Sequence, residues 1–188
     1  MNFPNRWLVF SLREIVFGLE DGIVSTLGVI TGIAEGTKDR YTILLAGLVI
    51  IAVESLSMAA GTYLSNKSEE EVLARVANNS KHARLHLVAS KQSSFRAFLM
   101  GVAYVVGGAV PVLPYMVVPL SWALGVSVVA AVAALVAIGI WKARVTGTNI
   151  FRSVLEIAGI SLVAALVGFI IGRVAGVFNP ALNRFSLL

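Results

Sequence analysis

The stretch Glu14-Ile-Val-Phe-Gly-Leu-Glu-Asp-Gly-Ile-Val-Ser-Thr-Leu-Gly-Val-Ile-Thr-Gly-Ile-Ala34 decides the fold class. A helix needs about 20 apolar residues to cross the hydrocarbon core of a bilayer. This run has that length, yet it holds Glu20 and Asp21 in its interior. The polar turn Glu35-Gly-Thr-Lys-Asp-Arg40 closes it. Further runs cover residues 42–65, broken only by Glu54, and residues 97–114, 119–141 and 150–177. The expected fold is therefore all-α: one polytopic membrane domain of five transmembrane helices, spans 14–34, 42–65, 97–114, 119–141 and 150–177.

Composition agrees with that reading. The chain has 188 residues, of which 57% are hydrophobic and 13% charged, with a mean hydropathy of +0.87. Soluble domains carry about 25% charged residues, so an ordinary soluble domain is excluded. With no Cys, a disulfide framework, a thiolate metal site and a thiol nucleophile are all excluded. Glycine-rich phosphate loops, Ser/His/Asp sets and zinc signatures do not occur, so hydrolytic enzymes are not expected.

The formal charge of +5 is explained by location. An odd number of spans puts the termini on opposite sides. With the N-terminus inside, Arg6, Arg13, Lys67, Arg75, Lys81, Arg84, Lys91, Arg96, Lys142, Arg144 and Arg152 fall on the cytoplasmic side. Lys38, Arg40, Arg173 and Arg184 fall outside. That asymmetry follows the positive-inside rule, so the basic balance is topological and no nucleic-acid partner is implied. Arg13, Glu14, Glu20 and Asp21 interrupt the first run, so it reads as a retained span rather than a cleavable leader.

Residues 66–96 are too polar to span and read as a short cytoplasmic helical segment that extends the second span and breaks near Asn78-Asn-Ser80. Ser68-Glu-Glu-Glu71 is expected to open a helix there, where its dipole favours acids. Pro111 and Pro114 are expected to break or kink the third span. Gly28, Gly32 and Gly36, and Gly168, Gly172 and Gly176, recur every four residues. Such faces let helices approach closely, either within one chain or across a dimer seam.

Acids carry the chemistry. Glu20, Asp21, Glu54 and Glu156 fall at membrane depth, where an ionised carboxylate costs at least about 2.5 kcal/mol. Glu156 and Glu20 can alternatively reach headgroups from an interface. Asp21 and Glu156 enter from the same face to similar depths, and Glu54 lies near the middle of the second span. Residues four apart share a helix face, so Met58 presents a thioether beside Glu54. Carboxylate oxygen plus thioether sulfur favours a borderline metal such as Fe²⁺, Mn²⁺ or Co²⁺ over Mg²⁺ or Ca²⁺. Protons and metal compete for the same carboxylates, so a metal/proton exchanger follows. His82 and His86 also have ligand spacing, though a solvated face explains them as well.

Four stretches resemble the vacuolar iron transporter family: Arg13 to Gly22 continuing to Gly32, Leu56-Ser-Met-Ala-Ala-Gly-Thr-Tyr-Leu-Ser65 with Glu69, Gly107-Gly-Ala-Val-Pro-Val-Leu-Pro-Tyr115, and the fifth span with Gly168 and Gly172-Arg173. The resemblance implies a five-helix homodimer that moves Fe²⁺ or Mn²⁺ out of the cytosol in exchange for protons. It makes Asp21 the ion-coordinating carboxylate and Met58 the thioether ligand, and places Glu69 at the start of the metal-binding cytoplasmic helix. Two departures stand out. The family's second-helix acid lies about two turns before the methionine; here Ile50 stands there, and Glu54 is read as its substitute from the same face. The cytoplasmic insert is also short, so this is a short form without the large metal-binding domain.

The sequence therefore predicts a non-enzymatic, proton-coupled exporter with metal ligands Asp21, Glu54 and Met58, helped by Glu156 and Glu20. Glu69 and Glu70 gather ions at the entrance. The transported ion is Fe²⁺ or Mn²⁺, and there is no resident cofactor. The partners are metal ions, protons, the bilayer and a second copy. The expected location is a prokaryotic inner membrane or a vacuole-type organelle, with the N-terminus cytoplasmic. Alternative readings are a metal-selective channel without proton coupling and a non-transporting membrane scaffold or sensor.

Overall fold

The computed structural model describes residues 6–76 and 83–177. They form five helices and, among the described residues, no strand: α1 Arg6–Thr37, α2 Arg40–Val76, α3 Ala83–Val117, α4 Leu120–Thr146 and α5 Ile150–Val177. All five contain a segment long and apolar enough to cross a membrane, as the hydrophobic runs predict.

Short polar turns set the boundaries. Lys38 closes α1 in the left-handed region at φ 52°, its N–H donating to the Ala34 carbonyl at 3.2 Å. Asp39 then caps α2: the Thr42 N–H and hydroxyl donate to Asp39 Oδ2 at 2.8 and 2.6 Å. Such a carboxylate satisfies an amide that has no partner within the helix. Gly147, at φ 69°, ends α4, where a residue without Cβ avoids left-handed strain.

α1 lies at the centre and touches all four other helices. Ile23 and Leu27 pack against Ala131 and Leu135 of α4 and Ile157 and Ala165 of α5. Ile30 packs in a second cluster with Ile43, Ile51, Val112, Tyr115 and Ala123. The outer faces remain apolar, with Leu48, Val53 and Leu56 of α2 and Leu162, Val163 and Leu166 of α5 exposed. An exterior of this kind belongs in hydrocarbon, and the protein is a multi-pass membrane protein.

The two glycine faces meet inside one chain. A Cβ on Gly168 would overlap the Gly28 carbonyl oxygen, and one on Gly172 would overlap that of Gly32. Lipid offers no hydrophobic drive for helices to associate, so close backbone packing of this sort holds α5 to α1.

Two expectations are corrected. The prolines do not break the third span: α3 continues as one helix past Pro111 and Pro114 to Val117. The packing of α1, α2 and α4 around it holds the proline-bearing turns, and Ser127 of α4 donates to the buried Pro111 carbonyl at 2.7 Å. The prolines lack the N–H groups that would reach the Gly107 and Val110 carbonyls, so the Ser127 bond ties α4 to the proline-bearing turn rather than replacing a lost one. Nor does a helix start at Ser68, because α2 continues to Val76. Good helix formers with no Gly or Pro after Gly61 give it no reason to stop, so Glu69, Glu70 and Glu71 lie far from any N-terminal dipole. Residues 77–82, including the expected break at Asn78-Asn-Ser80, lie outside the described residues.

Candidate functional site

Asp21 sits where α1 and α3 come closest. A Cβ at Gly22 would overlap the Tyr104 carbonyl oxygen, and one at Gly107 would overlap the Leu19 carbonyl oxygen. Backbone therefore rests on backbone on both sides of Asp21. α2 approaches α3 in the same way at Gly101, which faces Ser55 and Ala59. Asp21 of α1 and Glu54 of α2, both partly buried, thus stand on helices that pack against the same helix α3, within electrostatic reach of each other. The buried Tyr104 phenol is within electrostatic reach of both.

What distinguishes this pair is the company it lacks. Glu14 is held by Arg96, whose Nε lies 2.9 Å from Oε1. Glu35 lies 3.6 Å from Arg173, and Glu156 lies 2.9 Å from Arg152. Glu20 is attracted by Lys142. Among the described residues, neither Asp21 nor Glu54 forms an ion pair. Two like charges in a low-dielectric setting repel strongly, and a cation between them removes the repulsion and adds attraction to both. Met58, one helical turn beyond Glu54 and partly buried, places a thioether on the same side of α2.

The remaining acids lie elsewhere. Glu20, next to Asp21 in sequence, turns away into a cleft of about 340 Å³ between α1 and α4, lined by Arg13, Phe17, Lys142 and Thr146 among others. Glu156 stands on the exposed face of α5, paired along its own helix. Glu69 is exposed and Glu70 partly buried on the distal part of α2, roughly 22 Å or more along the helix from Glu54 at 1.5 Å per residue. Among the described residues no three His, Cys, Asp or Glu side chains gather into a metal-holding cluster. His82 lies outside the described residues, so its pairing with His86 has no structural counterpart here.

Sequence reasoning missed two features. Glu14 is 2% exposed, with both Nε and Nη2 of Arg96 on its Oε1; its spacing to Gly18 and Gly22 marks it as part of the α1 face on α3. Tyr104 and Ser25 join their hydroxyls at 2.6 Å across the same face. A tyrosine in an apolar run needs a hydroxyl partner when buried, and that was the available signal.

Comparison with known proteins identifies the wider group. The model of the VIT family matches residues 12–92 and 79–173. Vacuolar iron transporter 1 of Arabidopsis thaliana is 26% identical over 213 residues, covering 87% of this chain and 85% of its own. Vacuolar iron transporter 2 of Oryza sativa subsp. japonica is 29% identical over 208 residues, covering 84% and 85%. An uncharacterized protein of Methanocaldococcus jannaschii is 27% identical over 169 residues, covering 86% and 88%. The plant alignments are longer than the whole of this chain, so those relatives carry residues that it lacks; the archaeal one is not. With the family model matched along most of its length, the chain belongs to the VIT family, as a short form.

Proposed function

We propose that the protein is a proton-coupled exporter that carries a divalent transition metal, Fe²⁺ or Mn²⁺, out of the cytosol. The observation that carries this reading is the Asp21–Glu54 pair, two partly buried carboxylates without an ion-pair partner among the described residues. The names of the plant relatives support iron as cargo. Met58 supplies the softer donor. Glu20 and Glu156 add negative potential from the neighbouring cleft and the exposed rim. Glu69 and Glu70, with Glu71, concentrate cations at the cytoplasmic approach. Metal neutralises the pair on the inner side; protons arriving from the outer side replace it. Two copies act together as a homodimer, and the N-terminus faces the cytosol. Transport of this kind breaks no covalent bond, so the protein is not an enzyme.

The test is Fe²⁺ and Mn²⁺ flux in proteoliposomes with and without a pH gradient, for the wild type and for Asp21→Asn and Glu54→Gln. Gradient-driven flux lost in both variants is the expected result. Flux indifferent to the gradient would identify a channel, and no flux for either metal would leave a scaffold.

A further inference from the structure

Tyr104 is wholly buried where α3 meets α1, and its hydroxyl lies 2.6 Å from Ser25 Oγ. Ser25 Oγ in turn lies 2.5 Å from the carbonyl oxygen of Asp21, one turn earlier on α1. A hydroxyl has a single hydrogen to give, and a carbonyl can only accept. The Ser25 hydrogen therefore goes to Asp21, and the phenol must donate to Ser25. The order of the chain is fixed: Tyr104 O–H to Ser25 O–H to the Asp21 carbonyl. The phenol oxygen keeps its accepting capacity, within electrostatic reach of Asp21 and Glu54.

We infer that Tyr104 is a positioning residue: through Ser25 it fixes the turn of α1 that presents Asp21 to Glu54. A serine that bonds back to the carbonyl four residues earlier bends a helix slightly and can adopt other rotamers. The phenol selects the rotamer that keeps the Ser25 hydroxyl on the Asp21 carbonyl. The glycine contacts at Gly22 and Gly107 bring the two backbones together, and the Tyr104–Ser25 bond adds a side-chain tie between them at the Asp21 turn. This inference rests on the ion-site reading of Asp21 and Glu54.

The experiment compares metal transport by the wild type, Tyr104→Phe, Ser25→Ala, the double variant and Ser25→Thr, with Asp21→Asn as control. Tyr104→Phe keeps the ring and removes only the hydroxyl. Each hydroxyl deletion is expected to raise KM for metal about three- to tenfold, the loss of one hydrogen bond, with less change in maximal rate. The double variant should be no worse than either single one, because both deletions break one chain. Ser25→Thr should restore KM. The infrared phenol C–O band lost in Tyr104→Phe should shift in Ser25→Ala, which reads the bond itself without transport. Wild-type KM in Tyr104→Phe, while Asp21→Asn abolishes flux, overturns the positioning role and leaves the ion site standing. Additive losses in the double variant, or an unmoved C–O band, overturn it as well. Wild-type flux that ignores Asp21 overturns both readings.

Discussion

Arg96 reaches from α3 to Glu14 of α1, placing Nε 2.9 Å and Nη2 within hydrogen-bonding distance of the same carboxylate oxygen. The Glu14 side chain is 3% exposed and the Arg96 side chain 20%, so the pair is shielded from water. Removing one partner of a buried pair strands the other, at a cost of roughly 3 kcal/mol or more. Arg96→Met is therefore expected to lower the melting temperature in detergent markedly. Glu14→Leu combined with Arg96→Met should recover much of that loss, since no charge is then left buried. A double variant as unstable as the single one would contradict the pairing.

Asp21→Asn and Glu54→Gln each remove a charge from the two partly buried carboxylates. A cation that loses one of its two charged partners gives up about 2 kcal/mol or more, so metal affinity should fall roughly 30-fold or more in either variant. Glu156→Gln alters an exposed acid paired to Arg152, where exposed pairs are worth at most about 1 kcal/mol. Its effect should stay below about fivefold. Isothermal titration with Mn²⁺ on the purified protein measures all three.

Gly172→Val would drive a side chain into the Gly32 backbone, whereas a Cβ added at Gly125 would meet nothing within 4 Å. Overpacking costs about 1–3 kcal/mol, and here the opposing atoms are backbone that cannot turn aside. Gly172→Val should thus lower thermal stability and separate α5 from α1. Gly125→Ala should leave stability unchanged or raise it by up to about 1 kcal/mol through helix propensity. Thermal melts of the two variants side by side decide the matter.

The Asp39 carboxylate is held below the ordinary aspartate range, first by the Thr42 hydroxyl and then by the Thr42 backbone N–H. A depressed folded-state value means that the cap stabilises above the unfolded value and is lost as pH falls through the folded one. Asp39→Ala should therefore melt below the wild type at neutral pH. The gap should close as the medium is acidified beneath the aspartate range. A gap independent of pH would show that the charge contributes nothing to the cap.

The five helices were legible because a bilayer imposes a length on every apolar run, and Glu20 and Asp21 could not hide that pattern in the first. Helix ends were less so: hydropathy marks where hydrocarbon stops, whereas the backbone of α2 stays helical beyond it, at least as far as Val76. The break expected at Pro111 and Pro114 misled for a related reason. Their effect on α3 depends on neighbours such as Ser127, which lies on another helix. Within the candidate site, Asp21, Glu54 and Met58 stood out as polar or soft groups in apolar runs. The electrostatic reach between Asp21 and Glu54, the opposite turn of Glu20 towards Lys142 and the exposure of Glu156 required knowing which helix faces which. Tyr104 and Arg96 act across the α1–α3 contact and have no local signature.

α2 is 37 residues long, which at 1.5 Å per residue is about 55 Å, well beyond the roughly 30 Å of hydrocarbon. Glu69 and Glu70 therefore ride on a stiff rod rather than a slack tether, and their separation from Glu54 is fixed at more than twice the Debye length of about 8 Å in physiological salt. The acids at the tip are electrostatically deaf to those in the bundle. Charge changes at the tip alter how often a cation arrives, most visibly at low ionic strength, while the hold on that cation inside the bundle stays the same.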